Sequence, residues 1–334
     1  MDLVTQGLAG AVLAQSVARK GSVRLAAAVG AVAGLLPDAD VLLGQPADPL
    51  RQLEFHRHFT HALVLAPLGA LLLAAVAWPL VRGRLRFWET FAFALLGIGS
   101  AGLVDACTSF GTHLLWPFSH ERVAWNLVAI VDPVFSLALL GGVVVALRRR
   151  SAAPARAGLA LALAYLTLAL VQRERAGAVS RELALDRGHE PARLVVKPTM
   201  GNILLWRSLY LAEGRFHVAA VRVGLSGSRI YPGGSVPRFD AAELRGVAQD
   251  SVLARDVARF DRLAEGYLVR HPERPEVLGD ARYAMLPNGT APLWGIVADA
   301  EQPQRHVELV TLRELDADMR RDFLSMLLGR PLEP

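Results

Sequence analysis

The amino-acid sequence predicts an α-helical transmembrane bundle of about five or six helices, followed by a C-terminal soluble α+β domain. Hydrophobic residues make up 53% of the 334 residues, and the mean hydropathy is +0.33. The long apolar segments all lie before residue 172. This distribution is typical of an integral membrane protein rather than of a large soluble core. We therefore expect a helical membrane domain over residues 1–172 and a soluble α+β domain over residues 190–334.

Six apolar segments make up the predicted membrane domain. They run over residues 3–18, 23–36, 61–81, 87–107, 127–147 and 157–171. The middle segments approach the ~20 residues that a helix needs to cross the hydrocarbon core. The first two are shorter and rich in Ala and Gly, so they form either a tight hairpin packed through small residues or a partly inserted pair.

Basic residues are distributed unevenly among the loops between these segments. Ten lie in three alternate loops, as Arg19, Lys20, Arg24, Arg82, Arg84, Arg86, Arg148, Arg149, Arg150 and Arg156. The other two loops hold only Arg51, Arg57 and Arg122. By the positive-inside rule the larger set faces the cytoplasm, so we expect a multi-pass protein of the bacterial inner membrane with a periplasmic C-terminal domain. Because the arginines alternate with apolar segments, membrane lipids are the expected partner and nucleic acid is not.

The predicted soluble domain combines strands and amphipathic helices. Alternating apolar patches over 193–197, 216–225 and 305–311 predict strands. Helical periodicity over 240–268 and 312–328 predicts helices. The tetrapeptide Tyr231-Pro232-Gly233-Gly234 is typical of a turn.

Carboxylates and imidazoles gather where two predicted segments meet the outer face. Pro37 disfavours helix at Leu36, so the irregular segment that follows should carry Asp38 and Asp40. One aspartate could bind a metal while the other orients a ligand. Alternatively, both aspartates simply terminate the helix at the membrane surface.

A histidine-rich segment follows, with Glu54, His56, Arg57 and His61 ahead of the third apolar segment. Thr60 is the predicted N-cap, which would place His61 in the first helical turn and let it converge with His56. Imidazole and carboxylate together suit Zn²⁺ or Mn²⁺, and an arginine suits a phosphate or carboxylate group. The alternative is an interfacial cluster that binds no metal.

Asp105 ends the fourth apolar segment at the same predicted face. A carboxylate there is costly unless it has a partner, which could be a metal or simply water at the interface. Asp132-Pro133 has a sufficient explanation as an N-cap followed by proline at the first helical position, so Asp132 is left outside the predicted metal site.

These motifs together resemble the YdjM-like family of membrane-bound, metal-dependent hydrolases, also described as LexA-binding and inner-membrane-associated. The resemblance covers about residues 1–147. The matching motifs are Asp2…Thr5-Gln6-Gly7, Leu36-Pro37-Asp38-Ala39-Asp40, Glu54-Phe55-His56-Arg57…Thr60-His61, Asp105…Thr108…Gly111-Thr112-His113-Leu114-Leu115-Trp116-Pro117-Phe118 and Val131-Asp132-Pro133.

The family is related to the zinc-dependent phospholipase C and P1 nuclease group, which are all-helical enzymes with metal clusters. The resemblance implies that the metal-binding positions are Asp38, Asp40, His56, His61 and Asp105. Many members have histidines where this chain has Gln6 and Ala101, and that difference concerns how many metals the site would hold.

The sequence thus predicts a membrane-embedded, metal-dependent hydrolase with its site at the outer, periplasmic face. A divalent metal ion, Zn or Mn, would be the cofactor and an anionic or phosphoester substrate, such as a lipid, the partner. Glu54 is the predicted general base and Arg57 the group that holds the substrate. The alternative is a non-catalytic membrane scaffold with a residual metal site. A transporter is disfavoured because the charged residues gather at one face rather than at mid-membrane.

Overall fold

The computed structural model describes residues 1–43, 45, 47–224, 227–240, 243–244, 246–314 and 316–332. The helices in chain order are α1 Leu3–Val17, α2 Val23–Leu35, α3 Pro49–Phe55, α4 Ala66–Val81, α5 Phe87–Ala106, α6 Pro133–Arg149, α7 Ala153–Asp186, α8 Val252–Leu263 and α9 Ala317–Leu328. The strands are β1 Arg193–Pro198, β2 Leu205–Ala212, β3 Arg215–Val223, β4 Ser228–Pro237, β5 Leu268–Arg270, β6 Val277–Asp280, β7 Trp294–Val297 and β8 Glu308–Thr311.

The chain divides into two compact units. The first contains residues 1–43, 55–171 and 200–202, and the second contains residues 44–54, 172–199 and 203–334. The boundary falls inside α7, which extends well beyond the apolar segment predicted over 157–171. The polar continuation of α7 is rich in Ala, Leu, Arg and Glu, which are strong helix formers, so loss of apolar character does not end the helix.

Among the described residues, four segments are long and apolar enough to cross a membrane, judged by length and composition, and the fourth continues from the first unit into the second. They are Val23–Leu43, Leu63–Val81, Phe87–Ala106 and Ala153–Asp186, and α1 is a shorter apolar helix. Together with the sheets of the second unit, they confirm the predicted class of fold, a helical membrane bundle followed by an α+β domain.

The first two helices form the tight hairpin that their small residues allow. A Cβ placed on Gly10 would collide with the carbonyl oxygen of Gly30 in α2. A Cβ on Gly97 in α5 would lie 2.5 Å from both the Cβ of Ala33 and the carbonyl oxygen of Gly30. Close backbone approach through small residues is the usual way for helices to pack where the surrounding lipid is as apolar as the helices.

The start of α4 differs from the prediction. Residues Phe59–His61 and Leu63–Leu65 form short 3₁₀ turns, and α4 begins at Ala66 with Leu65 as its N-cap. Thr60 is therefore not the N-cap of this helix. The amide nitrogen of Leu63 donates to the carbonyl oxygen of Leu114 at 3.0 Å, so a tertiary hydrogen bond replaces the helical one.

The start of α6 is as the Asp132-Pro133 motif predicts. The carboxylate of Asp132 accepts from the amides of Val134 and Phe135, and Tyr165 donates to its other oxygen at 2.9 Å. The predicted span over 127–147 therefore becomes helical only at Pro133.

The second unit contains two antiparallel four-stranded sheets, with strand orders β1-β2-β3-β4 and β5-β6-β7-β8. The strands predicted over 193–197, 216–225 and 305–311 correspond to β1, β3 and β8, with residue 225 outside the described residues.

Only part of each predicted amphipathic helix of this unit is helical. Val252–Leu263 forms α8 within the predicted range 240–268, and residues 241, 242 and 245 lie outside the described residues. Its start is set by Ser251, whose hydroxyl accepts from the Ala254 amide. α9 begins at Ala317, later than predicted, and residue 315 also lies outside the described residues.

Candidate metal centre

Six polar side chains of the first unit come together where α2, α5 and the chain before α4 end or begin. They are Asp38, Asp40, His56, Arg57, His61 and Asp105, and we call them the helix-end cluster. Asp38 and Asp40 lie on the 3₁₀ segment Leu36–Leu43 that continues α2. The structure therefore brings together all five residues that the resemblance implies as metal ligands.

His61 is the centre of this cluster. Its Nε2 lies 3.3 Å from Oδ1 of Asp38 and 3.1 Å from Oδ2 of Asp105, and the imidazole ring is buried. Neither contact has the geometry of a hydrogen bond, so Nε2 of His61 and Oδ1 of Asp38 are buried without a hydrogen-bond partner among the described residues. Burial lowers the pKa of His61, but the carboxylates of Asp105 and Asp38 outweigh it and raise that pKa above its ordinary value.

Gly102 allows the chain around His61 to approach α5 closely. A Cβ at this position would collide with the carbonyl oxygen of His61 and lie 3.1 Å from the side chain of Leu114. Because Gly102 is one helical turn before Asp105, the same absence of a side chain lets the imidazole reach the carboxylate.

Asp40 differs from Asp38 in that both of its oxygens are hydrogen-bonded. Oδ1 contacts Nδ1 of His56 at 2.9 Å, while Oδ2 accepts from the Arg57 amide at 2.8 Å and from the Thr60 hydroxyl at 2.9 Å. Oγ1 of Thr60 also lies 3.0 Å from Nδ1 of His61. Asp40 therefore orients His56 directly through Nδ1 and orients His61 through the Thr60 hydroxyl, as carboxylates beside metal-binding histidines commonly do.

Arg57, the arginine of the helix-end cluster, has an unusual backbone conformation. Its φ is +60°, and its carbonyl oxygen accepts from the Thr112 hydroxyl and the His113 amide, which hold that conformation. The buried guanidinium places Nε 3.0 Å from Oδ2 of Asp105. Its other contacts, to Thr108 and to the carbonyl oxygen of Met1, are long at 3.4 Å each.

Gln6 also reaches Asp105. Its Nε2 donates to Oδ2 of Asp105 at 3.0 Å, and the main-chain nitrogen of Met1 contacts Oδ1. Oε1 of Gln6 is buried without a hydrogen-bond partner in the described chain. Gln6 is thus a direct neighbour of Asp105.

Glu54 belongs to the second unit and has a different set of partners. Both of its oxygens accept from Arg259, at 2.8 Å each. The same guanidinium binds Asp48 and Asp256, and Asp256 in turn contacts Nδ1 of His306 at 2.8 Å. We call Asp48, Glu54, Asp256, Arg259 and His306 the Arg259 network. The proposed role of Glu54 as general base stays a prediction, and this pairing counts against it.

The spacing of the ligand atoms in the helix-end cluster fits a small divalent cation. Bonds of about 2.0–2.1 Å to a tetrahedral Zn²⁺ put neighbouring ligand atoms about 3.3 Å apart. Nε2 of His61 lies at that distance from one carboxylate oxygen and slightly closer to the other. A second group of ligand atoms, from Asp38, Asp40 and His56, shares Asp38 with the first. The donor set of imidazole and carboxylate therefore suits Zn²⁺ or Mn²⁺.

Motif reading missed several residues that support the cluster. Thr60 stands in the matching motif and is predicted as an N-cap, whereas its hydroxyl contacts Asp40 and His61. Gly102 acts through the absence of a side chain, which has no signature in the sequence. In the sequence, Gln6 stands out only as a departure from the family pattern, and its contact with Asp105 is not predicted. Its position four residues into an apolar helix was the available signal, because a buried amide needs a partner.

Comparison with known proteins identifies the membrane unit. The family model described as YdjM inner membrane protein matches residues 1–176. The chain is 34% identical over 106 residues to the inner membrane protein YbcI of Escherichia coli (strain K12), an alignment that covers 30% of this chain and 60% of YbcI. The chain therefore spans less than two thirds of the length of YbcI. No solved structure matches the chain.

Proposed function

The chain belongs to the YdjM inner membrane protein family, and from that premise we propose that it is a metal-dependent hydrolase of phosphoester bonds. The helix-end cluster is its active site, at the outer face of the inner membrane. The observation that carries this proposal is the pair of buried, unpartnered ligand atoms, Nε2 of His61 and Oδ1 of Asp38. Buried polar atoms without partners are rare unless a ligand or ion satisfies them.

Each side chain of the cluster has a role in this proposal. Asp38, His61 and Asp105 would hold one divalent ion, which when bound lowers the pKa of a water and polarises the scissile group. Asp40 and Thr60 keep His61 in the orientation that directs Nε2 toward the two carboxylates. Because helices beside the site are apolar and long enough to cross a membrane, a lipid phosphoester is the substrate class that would reach the site most easily.

Arg57 would bind the anionic part of the substrate. Among the described residues its two Nη atoms form hydrogen bonds only to Thr108 and to the Met1 carbonyl, at 3.4 Å each, so they can exchange these for phosphate oxygens at little cost. Its Nε remains beside Asp105, which keeps the guanidinium in place.

His56 is better placed than Glu54 to accept a proton from the attacking water. Its Nδ1 is held by Asp40, and its side chain is 24% exposed. Within the described residues its Nε2 has no hydrogen bond, so that atom is available. Pairing of an imidazole with a carboxylate that fixes its orientation is a common arrangement for a general base. Alternatively, His56 would bind a metal together with Asp38 and Asp40. Turnover and metal content of a His56→Ala variant distinguish the two roles.

The test uses the full-length chain purified in detergent with a panel of phosphodiesters and phosphomonoesters. Turnover should require a divalent metal, disappear with a chelator and fall on the order of hundredfold or more in Asp38→Asn. His306→Ala, a substitution in the Arg259 network, is the matched control and should retain activity. His56→Ala should lower turnover without lowering metal content if His56 is the base, and lower both if it is a ligand.

One observation favours a second function: the buried carboxylate of Asp105 already has polar partners within the protein. Gln6 donates to Oδ2 of this carboxylate and the Arg57 guanidinium forms an ion pair with the same oxygen, so its burial does not by itself require a metal. The corresponding proposal is a non-catalytic membrane scaffold with a residual metal site. Absent turnover would select the scaffold over the hydrolase, and turnover that a chelator leaves unchanged would rule out metal-dependent hydrolysis.

A further inference from the structure

The arginine-rich ends of the helices in the first unit line an open cavity that the proposed hydrolase does not use. Its volume is about 760 Å³, and it lies between the turn that joins α1 to α2 and the turn that joins α4 to α5. Its lining includes Arg19, Ser22, Trp78, Arg82, Arg84 and Arg86. We propose that this cavity binds the headgroup of an anionic phospholipid.

The charge of the cavity is strongly positive. Four arginines line it, and Glu89 is the only acidic residue of its described lining. Glu89 is partly used already, because it pairs with Arg19 at 3.4 Å and accepts from the Arg86 amide. Within the part of the chain that the structure describes, the side chains of Arg82 and Arg84 enter no ion pair, and both residues are exposed. Basic pockets between transmembrane helices are typical sites for anionic headgroups.

One helix N-terminus adds to this charge. Ser22, the N-cap of α2, lines the cavity, and its hydroxyl makes no capping bond to α2, because it donates to the carbonyl oxygen of Arg19. The start of α5 is already capped, since Glu89 accepts from the Arg86 amide. Unpaired amides at a helix start attract anions, so the start of α2 favours a phosphodiester in the cavity.

Trp78 provides the uncharged side of the site. Its ring packs edge-on against Phe87, with ring centroids 6.0 Å apart. Its Nε1 is buried without a hydrogen-bond partner in the described chain, so an indole donor is available at the cavity wall. Tryptophan at this position is typical of the headgroup level of a bilayer.

The neighbouring surface is suited to acyl chains. Leu80, in the last turn of α4, is 86% exposed, and Trp88, in the first turn of α5, is 68% exposed. A free inorganic phosphate would use only the charged part of the cavity, whereas a phospholipid would also cover these apolar side chains. A phospholipid is therefore the occupant that the observations favour.

The experiment measures lipid retention by native mass spectrometry of the full-length chain released from detergent. Phosphatidylglycerol is titrated against phosphatidylcholine, with inorganic phosphate as a competitor. Arg82→Gln/Arg84→Gln should weaken phosphatidylglycerol binding by roughly tenfold or more. Trp78→Phe keeps the ring, removes the N–H and should weaken it by about threefold. Arg148→Gln/Arg149→Gln lowers the net charge equally at another predicted cytoplasmic turn and should change binding by less than about twofold if the cavity is specific.

Three results would overturn the proposal. Equal weakening by the Arg148/Arg149 control would mean general attraction to a basic surface. Equal retention of phosphatidylcholine would mean that no anionic headgroup is recognised. Displacement by inorganic phosphate would assign the cavity to a free anion instead of a lipid. All the substituted arginines are exposed, and unchanged elution of each variant in gel filtration verifies its fold.

Discussion

The helix-end cluster and the Arg259 network contain the same kinds of residue and differ in how those residues are satisfied. Each combines carboxylates, histidine and one arginine, and each includes three ligand atoms within reach of a common ion. In the Arg259 network the arginine lies among Asp48, Glu54 and Asp256 and donates to all three. In the helix-end cluster the guanidinium of Arg57 contacts only Asp105 among the carboxylates that the structure describes, and the Asp40 carboxylate is reached by the Arg57 backbone amide instead.

The consequence concerns which group can hold a metal. In the Arg259 network a guanidinium already supplies the positive charge, and Asp256 also accepts from the Val307 amide. In the helix-end cluster Oδ1 of Asp38 and Nε2 of His61 are buried without such donors in the described chain. Similar composition therefore leads to a structural ion-pair network in one unit and to a candidate metal site in the other, because only the second leaves ligand atoms unsatisfied.

The largest expected effect separates the two groups by metal content. His61→Ala removes the atom that lies between two carboxylates and should abolish stoichiometric Zn or Mn in the purified protein. His306→Ala removes the equivalent imidazole of the Arg259 network and should leave metal content unchanged. Elemental analysis after gel filtration measures both, and an equal loss in the two variants would contradict the distinction.

A large effect on stability is expected from the Arg259 network alone. Arg259→Ala leaves three carboxylates without their common cation, which should cost about 2–3 kcal/mol after allowance for partial exposure. The loss should appear as faster hydrogen exchange in α8, which carries Asp256. Metal content should not change, and unaltered exchange in α8 would refute the structural role assigned to Arg259.

A smaller effect should distinguish the two aspartates of the helix-end cluster. Asp40→Asn weakens the orientation of His56 and His61 without removing a ligand, so metal affinity should fall by about 10–100-fold. Asp38→Asn removes a ligand and should cause a larger loss. Metal titration with a competing chelator gives both affinities, and an equal loss would mean that Asp40 binds the metal directly.

The smallest expected effect is the response of the Arg259 network to acid. Burial raises the pKa of Asp48, but hydrogen bonds and the charge of Arg259 outweigh it and hold that pKa below the ordinary value of 3.8. A lowered pKa in the folded state stabilises the protein above about pH 4, and the contribution is lost as the pH falls through the lowered pKa. Hydrogen exchange in α8, corrected for intrinsic rates, should show this loss. Asp48→Asn should reduce the pH dependence, and an identical profile in that variant would assign it to another group.

Much of the cluster could be predicted because its chemistry is local in sequence. Asp38, Asp40, His56 and His61 lie within 24 residues, and charged groups among apolar segments are costly enough to signal a role. Asp105 was recognisable for the same reason. The assignment of Glu54 rested on proximity in sequence, and proximity does not reveal that an arginine 205 residues away holds its carboxylate.

The sequence by itself determined the two-part architecture and the helix start at Asp132, because hydropathy and capping act over a few neighbouring residues. Only the tertiary structure decided that one oxygen of Asp38 has no hydrogen-bond partner among the described residues, whereas both oxygens of Asp40 are hydrogen-bonded. It also decided that Gln6 reaches Asp105 and that His61 precedes α4 instead of beginning it. These outcomes depend on hydrogen bonds and close contacts between distant segments, and the geometry of such contacts is set by packing rather than by residue type.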